Sequence, residues 1–251
     1  FASAARSNIL NVKQAGMLAR DMKKVDQFVV YQTIGRDSGW LGAATAMAKK
    51  NDDDAPHLIY CPEFDFDKIS FLEDVEKAYK KYGWVSVVCG EGLKYANGSA
   101  VSASETRDKF NNTEFGAMGG ASVGLNLHRF ITENFGFRGE FQITESLIMS
   151  DMSRASELDL EEAWQCGLEA VKIAEAQESG HMVSIIRISD EPYTIAFGKA
   201  LLKDVAVKAK PMPMKYFNHE KNFVDDSFYN YMRPLVYPLP DFVELEKKYI
   251  K

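Results

Sequence analysis

The stretch QFVVYQTIGRDSGWLG, residues 27–42, decides the fold. Its apolar, partly β-branched run over residues 28–31 is typical of a buried strand. Gly35 and Gly39 then flank Arg36, and a helical pattern starts after the second glycine. A strand, a glycine-rich turn and a helix in direct succession predict a βα unit in which the arginine is presented at the end of the strand.

Two further segments repeat this arrangement. Residues 57–61 have a strand pattern that ends shortly before Glu63, and residues 84–89 have another that ends shortly before Glu91. Between them, FLEDVEKAYKKYG (residues 71–83) follows a serine and has early acids, late lysines and a final glycine, which is typical of a helix. Strands that alternate with helices predict an α/β fold with a mainly parallel sheet and flanking helices.

The other elements follow from periodicity and from capping residues. The predicted helices cover residues 8–24, residues 41–50 and a segment that opens at a capping box of Asp159 and Glu162. Further strands are predicted over residues 139–147 and 182–188. Three irregular parts complete the chain: a surface excursion over residues 94–115, close backbone packing at the glycines of residues 116–120, and a tail from Pro211 that wraps over the body.

Composition narrows the class of protein. The chain has 251 residues, 46% of them hydrophobic, and a net charge of −6 without a basic block or basic helix face. These values are typical of a globular protein and argue against binding to nucleic acid or acidic lipid. No apolar stretch is long enough to span a membrane, and three scattered cysteines favour a reducing compartment, the cytoplasm. The four histidines share no spacing with the cysteines, so we expect structural roles for them and predict no metal site.

Ionisable residues follow all three of the first predicted strands. Because ligands bind at the carboxyl ends of parallel strands, Arg36, Glu63 and Glu91 are candidate site residues. An arginine beside a helix start suits a phosphate, and a carboxylate on a neighbouring strand suits sugar hydroxyls. The pattern therefore predicts a sugar-phosphate site. Two alternatives remain open, namely an ion pair of Arg36 with Asp37 or Glu63 and a solvated turn position for Glu63.

Six segments together resemble one protein family. In chain order they are VVYQTIGRDSGWLGAATA (29–46), HLIYCPEFDFD (57–67), WVSVVCGEGLK (84–94), LDLEEAWQCGLEAV (158–171), PMPMKYF (211–217) and YMRPLVYPLPDF (231–242). This succession resembles the C-terminal portion of 6-phosphofructokinases over essentially the whole chain, and the pyrophosphate-dependent branch more closely. Ile34 stands where the family's Met-Gly-Arg segment has its methionine.

The resemblance implies phosphoryl transfer from magnesium pyrophosphate to O1 of fructose 6-phosphate, which gives fructose 1,6-bisphosphate. It implies that Ile34, Gly35 and Arg36 contact the sugar phosphate. The arginine is the implied catalytic residue, since it also stabilises charge on the transferred phosphoryl group. Glu91 is implied to accept hydrogen bonds from the sugar hydroxyls.

Two parts of the family pattern are missing. The resemblance places the pyrophosphate loop and the Asp-rich segment upstream of Phe1. The Asp-rich segment supplies the catalytic base and positions Mg²⁺ in the family. This chain alone is therefore expected to be inactive and to lack the Mg²⁺ ligands. The Gln-Arg pair that holds the 6-phosphate falls on residues 146–149, which contain no arginine. Arg154 or Lys215 is the candidate replacement, and each is equally well explained as a surface residue. Gln27 stands where many relatives carry a cation that reaches the neighbouring subunit.

The expected organisation has two parts. Residues 1–158 form the substrate domain, and residues 159–251 return to pack on the phosphoryl-donor domain and then wrap around the body. A hydrophobic face left open by the missing part predicts a longer parent protein, a partner chain or a homodimer. The alternative function is a non-catalytic sugar-phosphate-binding or assembly subunit, and a kinase for another phosphorylated ketose is a third.

Overall fold

The computed structural model describes residues 1–102, 109, 121–206 and 209–242. The glycines of residues 116–120 and most of the predicted excursion over residues 94–115 lie outside the described residues. The strands of the described part are β1 (Phe28–Thr33), β2 (Leu58–Tyr60), β3 (Val85–Gly90), β4 (Gly139–Ile143), β5 (His181–Asp190) and β6 (Tyr193–Leu201). Its α-helices are α1 (Ala2–Met22), α2 (Trp40–Ala44), α3 (Lys68–Tyr82), α4 (Val123–Phe135), α5 (Glu157–Glu175), α6 (Leu202–Val205) and α7 (Asp226–Val236).

Strands β1 to β4 form a sheet in the order β2-β3-β1-β4, and all three of its pairings are parallel. Phe28 lies opposite Val85 on one side and opposite Gly139 on the other. Every residue of β1 and β3 is buried, so both faces of the sheet are covered, as parallel sheets require. The predicted α/β fold with a mainly parallel sheet and flanking helices is confirmed.

Two hydrophobic clusters fill the two sides of this sheet. Side chains alternate along β1, so that Val29 and Tyr31 lie in the cluster that includes α1 and α7, whereas Phe28 and Val30 lie in the cluster that includes α3 and α4. Because the same strand is packed from both sides, its carboxyl end is held rigidly beside those of its neighbours.

Helix α3 starts before the predicted segment. The Asp67 carboxylate accepts a hydrogen bond from the Ser70 N–H at 2.7 Å, which makes Asp67 the cap and Lys68 the first helical residue. The helix ends at Gly83, which has a φ of 75°, as the sequence predicts.

The helix predicted over residues 41–50 is shorter than expected. Helix α2 covers Trp40–Ala44 and continues only as a 3-10 turn over Thr45–Ala48. The backbone of Lys49 is extended rather than helical. Its side-chain ammonium donates a hydrogen bond to the Asp52 carbonyl at 2.6 Å. The Lys49 side chain is thus bound by the loop that follows the 3-10 turn.

The strand predicted over residues 182–188 belongs to an antiparallel hairpin of β5 and β6, a second sheet that the sequence analysis did not predict. Helix α5 packs beside β5. The predicted capping box of Asp159 and Glu162 is wrong, because Ser156 caps α5. The Asp159 carboxylate instead accepts a hydrogen bond from the Ser3 N–H at 2.9 Å, which joins α5 to α1.

The C-terminal tail contains a helix that the sequence analysis did not predict. Phe228, Met232 and Val236 lie four residues apart on α7 and are fully buried, which is the spacing of an apolar helix face. Pro234 lies inside the helix. This proline and the aromatic residues around it hide the helical periodicity of the apolar residues in the sequence. The tail thus closes one side of the core rather than only wrapping over it.

Candidate functional site

The carboxyl ends of three adjacent strands meet at one edge of the sheet. Strand β1 lies between β3 and β4, so the turns that carry Arg36, Glu91 and Glu145 are neighbours. Burial raises the pKa of the Glu91 carboxyl, the Arg36 charge lowers it, and the charges of Glu145 and Asp37 raise it. The Gly35 N–H donates to the Glu91 carboxylate, so the turn that carries Arg36 lies beside Glu91.

Glu91 is tied to the turn that follows β1. Its Oε1 accepts a hydrogen bond from the Gly35 N–H at 3.1 Å, and its own N–H donates to the Thr33 carbonyl at 3.1 Å. Burial raises the pKa of the Glu91 carboxyl, and the Gly35 hydrogen bond and the Arg36 charge oppose that shift. A half-buried carboxylate beside an arginine can accept hydrogen bonds from ligand hydroxyls.

The turns after β1 and β3 interlock so closely that glycine is required in both. A Cβ atom on Gly92 would lie 1.6 Å from the Arg36 carbonyl oxygen, so a larger residue does not fit against this backbone. Gly35 has a φ of 132°, and a Cβ atom there would lie 2.7 Å from the Ser38 carbonyl oxygen. These contacts fix the backbone that presents the exposed Arg36 side chain.

The two acids considered as partners of Arg36 have other contacts. The Asp37 carboxylate lies 3.5 Å from the Lys94 ammonium. The Glu63 carboxylate accepts hydrogen bonds from two backbone N–H groups. Glu63 is therefore not the solvated turn acid that the sequence left open.

Glu145 is the residue of this edge that the sequence analysis missed. Strand β4 ends at Ile143, earlier than the predicted strand over residues 139–147, and Glu145 follows with a φ of 40°. This left-handed conformation is uncommon for a residue other than glycine, and such outliers concentrate at functional sites. The overlong strand prediction hid the turn that places this carboxylate.

Residues 146–149, where the resemblance places a Gln-Arg pair, present apolar side chains. Leu147 is 74% exposed and Met149 is 72% exposed, while Ile148 is buried. The turn after β4 therefore offers a hydrophobic surface where the family pattern has a cation.

Arg154, one candidate replacement, lies against α1. Its guanidinium donates to the side-chain oxygens of Asn11 and Gln14, the second at 3.3 Å. Its Nε also lies 3.6 Å from the Asp151 carboxylate. These contacts occupy the guanidinium within the protein and favour a structural role.

Lys215, the other candidate, is exposed on the 3-10 turn Met214–Tyr216. Its ammonium lies 4.9 Å from the centroid of the Tyr216 ring, which in turn contacts Trp40 with 6.1 Å between ring centroids. Trp40 is the first residue of α2, directly after the loop that carries Arg36. Lys215 is thus the more accessible of the two candidate cations and lies on the segment that packs against α2.

Within the described ranges, no group of three or more His, Cys, Asp or Glu side chains is arranged to hold a metal ion. No helix in these ranges combines the length and apolarity that crossing a membrane requires. Cys61, Cys89 and Cys166 are free thiols.

Several known proteins are similar to this chain over most of its length. The pyrophosphate–fructose 6-phosphate 1-phosphotransferase of Methylococcus capsulatus is 31% identical over 255 residues, 98% of this chain and 60% of the relative. The protein of that name from Halomonas elongata is 31% identical over 207 residues, 82% of this chain and 48% of the relative. The solved pyrophosphate-dependent phosphofructokinase of Nitrosospira multiformis has a TM-score of 0.80 at 26% identity, covering 100% of this chain and 59% of that one. No family model matches the sequence.

The parallel sheet, with its glycine turns at the carboxyl edge, defines an α/β protein of the Rossmann-like class. The similarities are more specific. The chain is related to the phosphofructokinases, and among them to proteins of the pyrophosphate-dependent type, which confirms the resemblance. It spans 48% and 60% of the lengths of the two relatives compared by sequence.

Proposed function

We propose that the protein transfers a phosphoryl group from pyrophosphate to O1 of fructose 6-phosphate, giving fructose 1,6-bisphosphate, and that this chain binds the sugar phosphate. The observation that carries the proposal is the interlocked pair of turns after β1 and β3, which sets the exposed Arg36 beside the half-buried Glu91 carboxylate. The names of the relatives support the same reaction.

The proposed roles follow from charge and position. Ile34 and Gly35 contact the sugar phosphate through the turn after β1, and Arg36 stabilises the negative charge of the phosphoryl group in the transition state. Glu91 accepts hydrogen bonds from sugar hydroxyls and so orients the ring. For the 6-phosphate, the exposed ammonium of Lys215 is a better candidate than the guanidinium of Arg154, which already has partners on α1.

A separate part of the protein is proposed to supply the donor site. Residues 1–158 then form the substrate domain, and residues 159–251 pack partly on the phosphoryl-donor domain, which contributes the catalytic base and the residues that bind Mg²⁺ with pyrophosphate. In support, α5 and β5 expose apolar side chains on adjoining elements: Leu160, Trp164, Leu168, Val171, Ile185, Ile186 and Ile188. An apolar surface of this extent is typical of one that another domain covers.

Trp164 gives a direct test of this covering, because its side chain is 67% exposed in this chain. The emission assigned to Trp164 is the difference between the spectra of the unmodified protein and of a Trp164→Phe variant. We expect the red-shifted emission maximum of a solvent-exposed indole from the 251-residue chain and a blue-shifted maximum from a protein of the relatives' full length. Equal emission in both would contradict the proposed packing.

A homodimer in the cytoplasm is proposed as the working form. Its support is the edge strand β4 of the described sheet, which has exposed apolar side chains on both faces: Phe141 lies beside His128 of α4, and Leu18 and Met22 of α1 lie beside Glu140. A strand edge that pairs with no other strand of the described residues, beside apolar side chains, favours association with another copy. Light scattering coupled to gel filtration measures the mass, and a Leu18→Asp variant is expected to dissociate the dimer while a Glu73→Gln variant on exposed α3 leaves it intact.

The reaction is tested by turnover. Full-length protein with Mg²⁺, pyrophosphate and fructose 6-phosphate is expected to form fructose 1,6-bisphosphate, measured by chromatography, and the Arg36→Ala variant is expected to lose nearly all of this activity. Other phosphorylated ketoses serve as competing substrates. A faster reaction with one of them would favour a kinase of different specificity.

The apolar turn after β4 favours a second candidate, a non-catalytic sugar-phosphate-binding or assembly subunit. The exposed Leu147 and Met149 occupy the position at which the family pattern has a phosphate-binding cation. This alternative predicts fructose 6-phosphate binding without product even in the presence of pyrophosphate, Mg²⁺ and the donor domain.

A further inference from the structure

Glu63, which the roles proposed above leave unused, joins two parts of the chain far apart in sequence. Its carboxylate accepts hydrogen bonds from the Gly39 N–H at 2.8 and 3.0 Å, one to each oxygen. The oxygen with the shorter of these distances, Oε1, also accepts the Met212 N–H at 2.8 Å. One side chain after β2 thus fixes both the start of α2 and the segment that precedes the turn of Lys215.

The Arg36 loop is consequently held at both of its ends by carboxylates from other strands. Glu91, after β3, accepts the Gly35 N–H, and Glu63, after β2, accepts the Gly39 N–H. The second attachment leaves no spare room, since a Cβ atom on Gly39 would lie 2.4 Å from the Cβ of Cys61. Hydrogen bonds to a charged acceptor are stronger than neutral ones, so both attachments are firm.

The partner segment is attached at a second point. The Trp40 indole Nε1 donates to the Lys210 carbonyl at 2.9 Å, next to the bond from Met212 to Glu63. The chain then turns at Met214–Tyr216, where Lys215 is exposed and Tyr216 packs on Trp40. The two attachments set the position of this lysine relative to the Arg36 loop.

We infer that Glu63 is a positioning residue for phosphate binding: it sets the Arg36 loop and the Lys215 segment in a fixed relation without touching the ligand itself. The ligand part of this inference rests on the proposed function. In a Glu63→Gln variant the side chain keeps a single acceptor oxygen, and its amide group donates toward a backbone N–H. An amide oxygen at the Oε1 position can still accept both N–H groups, but as neutral hydrogen bonds without the negative charge, and the amide nitrogen at the Oε2 position opposes the Gly39 N–H.

The experiment compares Glu63→Gln with Glu73→Gln, a matched change on the exposed face of α3. Amide hydrogen exchange, followed by NMR without ligand, is expected to quicken about tenfold at Gly39 and Met212, and also at Gly35, in the first variant only. Faster exchange at Gly39 and Met212 with Gly35 unchanged would overturn the positioning role, because the effect would stop at the direct partners. No change at any of the three amides would overturn the inference, because the Glu63 charge would then not strengthen either attachment.

Affinity supplies the second readout. At a temperature at which both variants are fully folded, Glu63→Gln is expected to bind fructose 6-phosphate about tenfold more weakly than Glu73→Gln, since both cations lose their alignment. Equal affinities would overturn the inference, because a merely structural role leaves binding by the folded protein unchanged. If the unmodified protein binds no fructose 6-phosphate, the proposed function fails, and the exchange at Gly35 alone decides whether Glu63 positions the loop.

Discussion

The Glu91 carboxylate on one strand end accepts a hydrogen bond from the Gly35 N–H on the next, 3.1 Å away. This bond connects the residue proposed to bind sugar hydroxyls with the turn that presents Arg36. The cation and the carboxylate are therefore positioned by one another as well as by the sheet. Changes to either turn are expected to affect both groups.

Replacing Gly92 by alanine is expected to disrupt the site. The new Cβ atom would lie 1.6 Å from the Arg36 carbonyl oxygen, and a backbone atom cannot move aside as the end of a flexible side chain can. We expect a loss of at least about 3 kcal/mol in the free energy of unfolding, measured by denaturant titration.

The matched control for this change is Gly167→Ala. Gly167 lies inside α5, and a Cβ atom there meets nothing within 4 Å. Alanine is the better helix former, so this variant is expected to gain up to about 1 kcal/mol. A Gly92→Ala variant as stable as Gly167→Ala would contradict the interlocked turns.

The Glu91→Gln variant is expected to separate stability from binding. Burial raises the pKa of the Glu91 carboxyl in the folded protein above its ordinary value of 4.5, so the folded state binds this proton more tightly than the unfolded state. The contribution of Glu91 to stability is thus present below pH 4.5 and is lost as the pH rises through the raised pKa. Glutamine does not ionise, so it does not lose this contribution. The free energy of unfolding of Glu91→Gln, measured relative to that of the unmodified protein, is therefore expected to rise with pH across that window.

Fructose 6-phosphate binding is expected to change in the opposite direction. Loss of the carboxylate weakens the hydrogen bonds to sugar hydroxyls, and calorimetry near neutral pH should show roughly tenfold lower affinity. A variant that is both less stable and equally tight in binding would contradict the role given to Glu91.

The adjacency of the turns that carry Arg36 and Glu91 was predictable because both follow short, strongly apolar strands, and parallel strands bring their carboxyl ends to one edge. Glu145 was not predictable, since β4 is half exposed and its pattern does not show where the strand ends. The attachment of Glu63 to Met212 joins residues far apart in sequence, which local patterns do not encode. Helix α7 was missed because a proline lies within it.

Arg154 and Lys215 are expected to respond differently to alanine substitution. Arg154→Ala removes the guanidinium contacts to Asn11 and Asp151 and is expected to cost roughly 1 to 3 kcal/mol of stability with unchanged fructose 6-phosphate affinity in the folded protein. Lys215→Ala removes an exposed ammonium and is expected to leave stability unchanged while affinity falls roughly tenfold. Denaturant titration and calorimetry on the same samples measure both, and the reverse result would assign the 6-phosphate to Arg154.

His57 is expected to titrate far below a normal histidine. Its ring is buried between Tyr82 and Trp84, with ring centroids 4.3 and 4.5 Å away, and its Nδ1 accepts the Ser86 N–H at 3.1 Å. Burial, together with the nearby Lys49 charge, lowers the pKa of His57 to about 4.

The depressed pKa gives stability a defined pH dependence. The contribution of neutral His57 is fully present above pH 6.5 and is lost as the pH falls towards 4, by up to about 3 kcal/mol. NMR titration of the ring measures this pKa directly. A His57 pKa near the ordinary value of 6.5 would contradict the buried, stacked ring.

The central claim is that the turn after β1 binds a phosphorylated sugar through Arg36. The most direct measurement is calorimetric titration of the protein with fructose 6-phosphate and with fructose, for the unmodified chain, Arg36→Ala and Arg129→Ala, an exposed arginine on α4. We expect fructose 6-phosphate to bind the unmodified and Arg129→Ala proteins equally, fructose to bind far more weakly, and Arg36→Ala to lose about tenfold to hundredfold in affinity for the phosphorylated sugar. Equal binding by Arg36→Ala, or equal affinity for the two sugars, would contradict it.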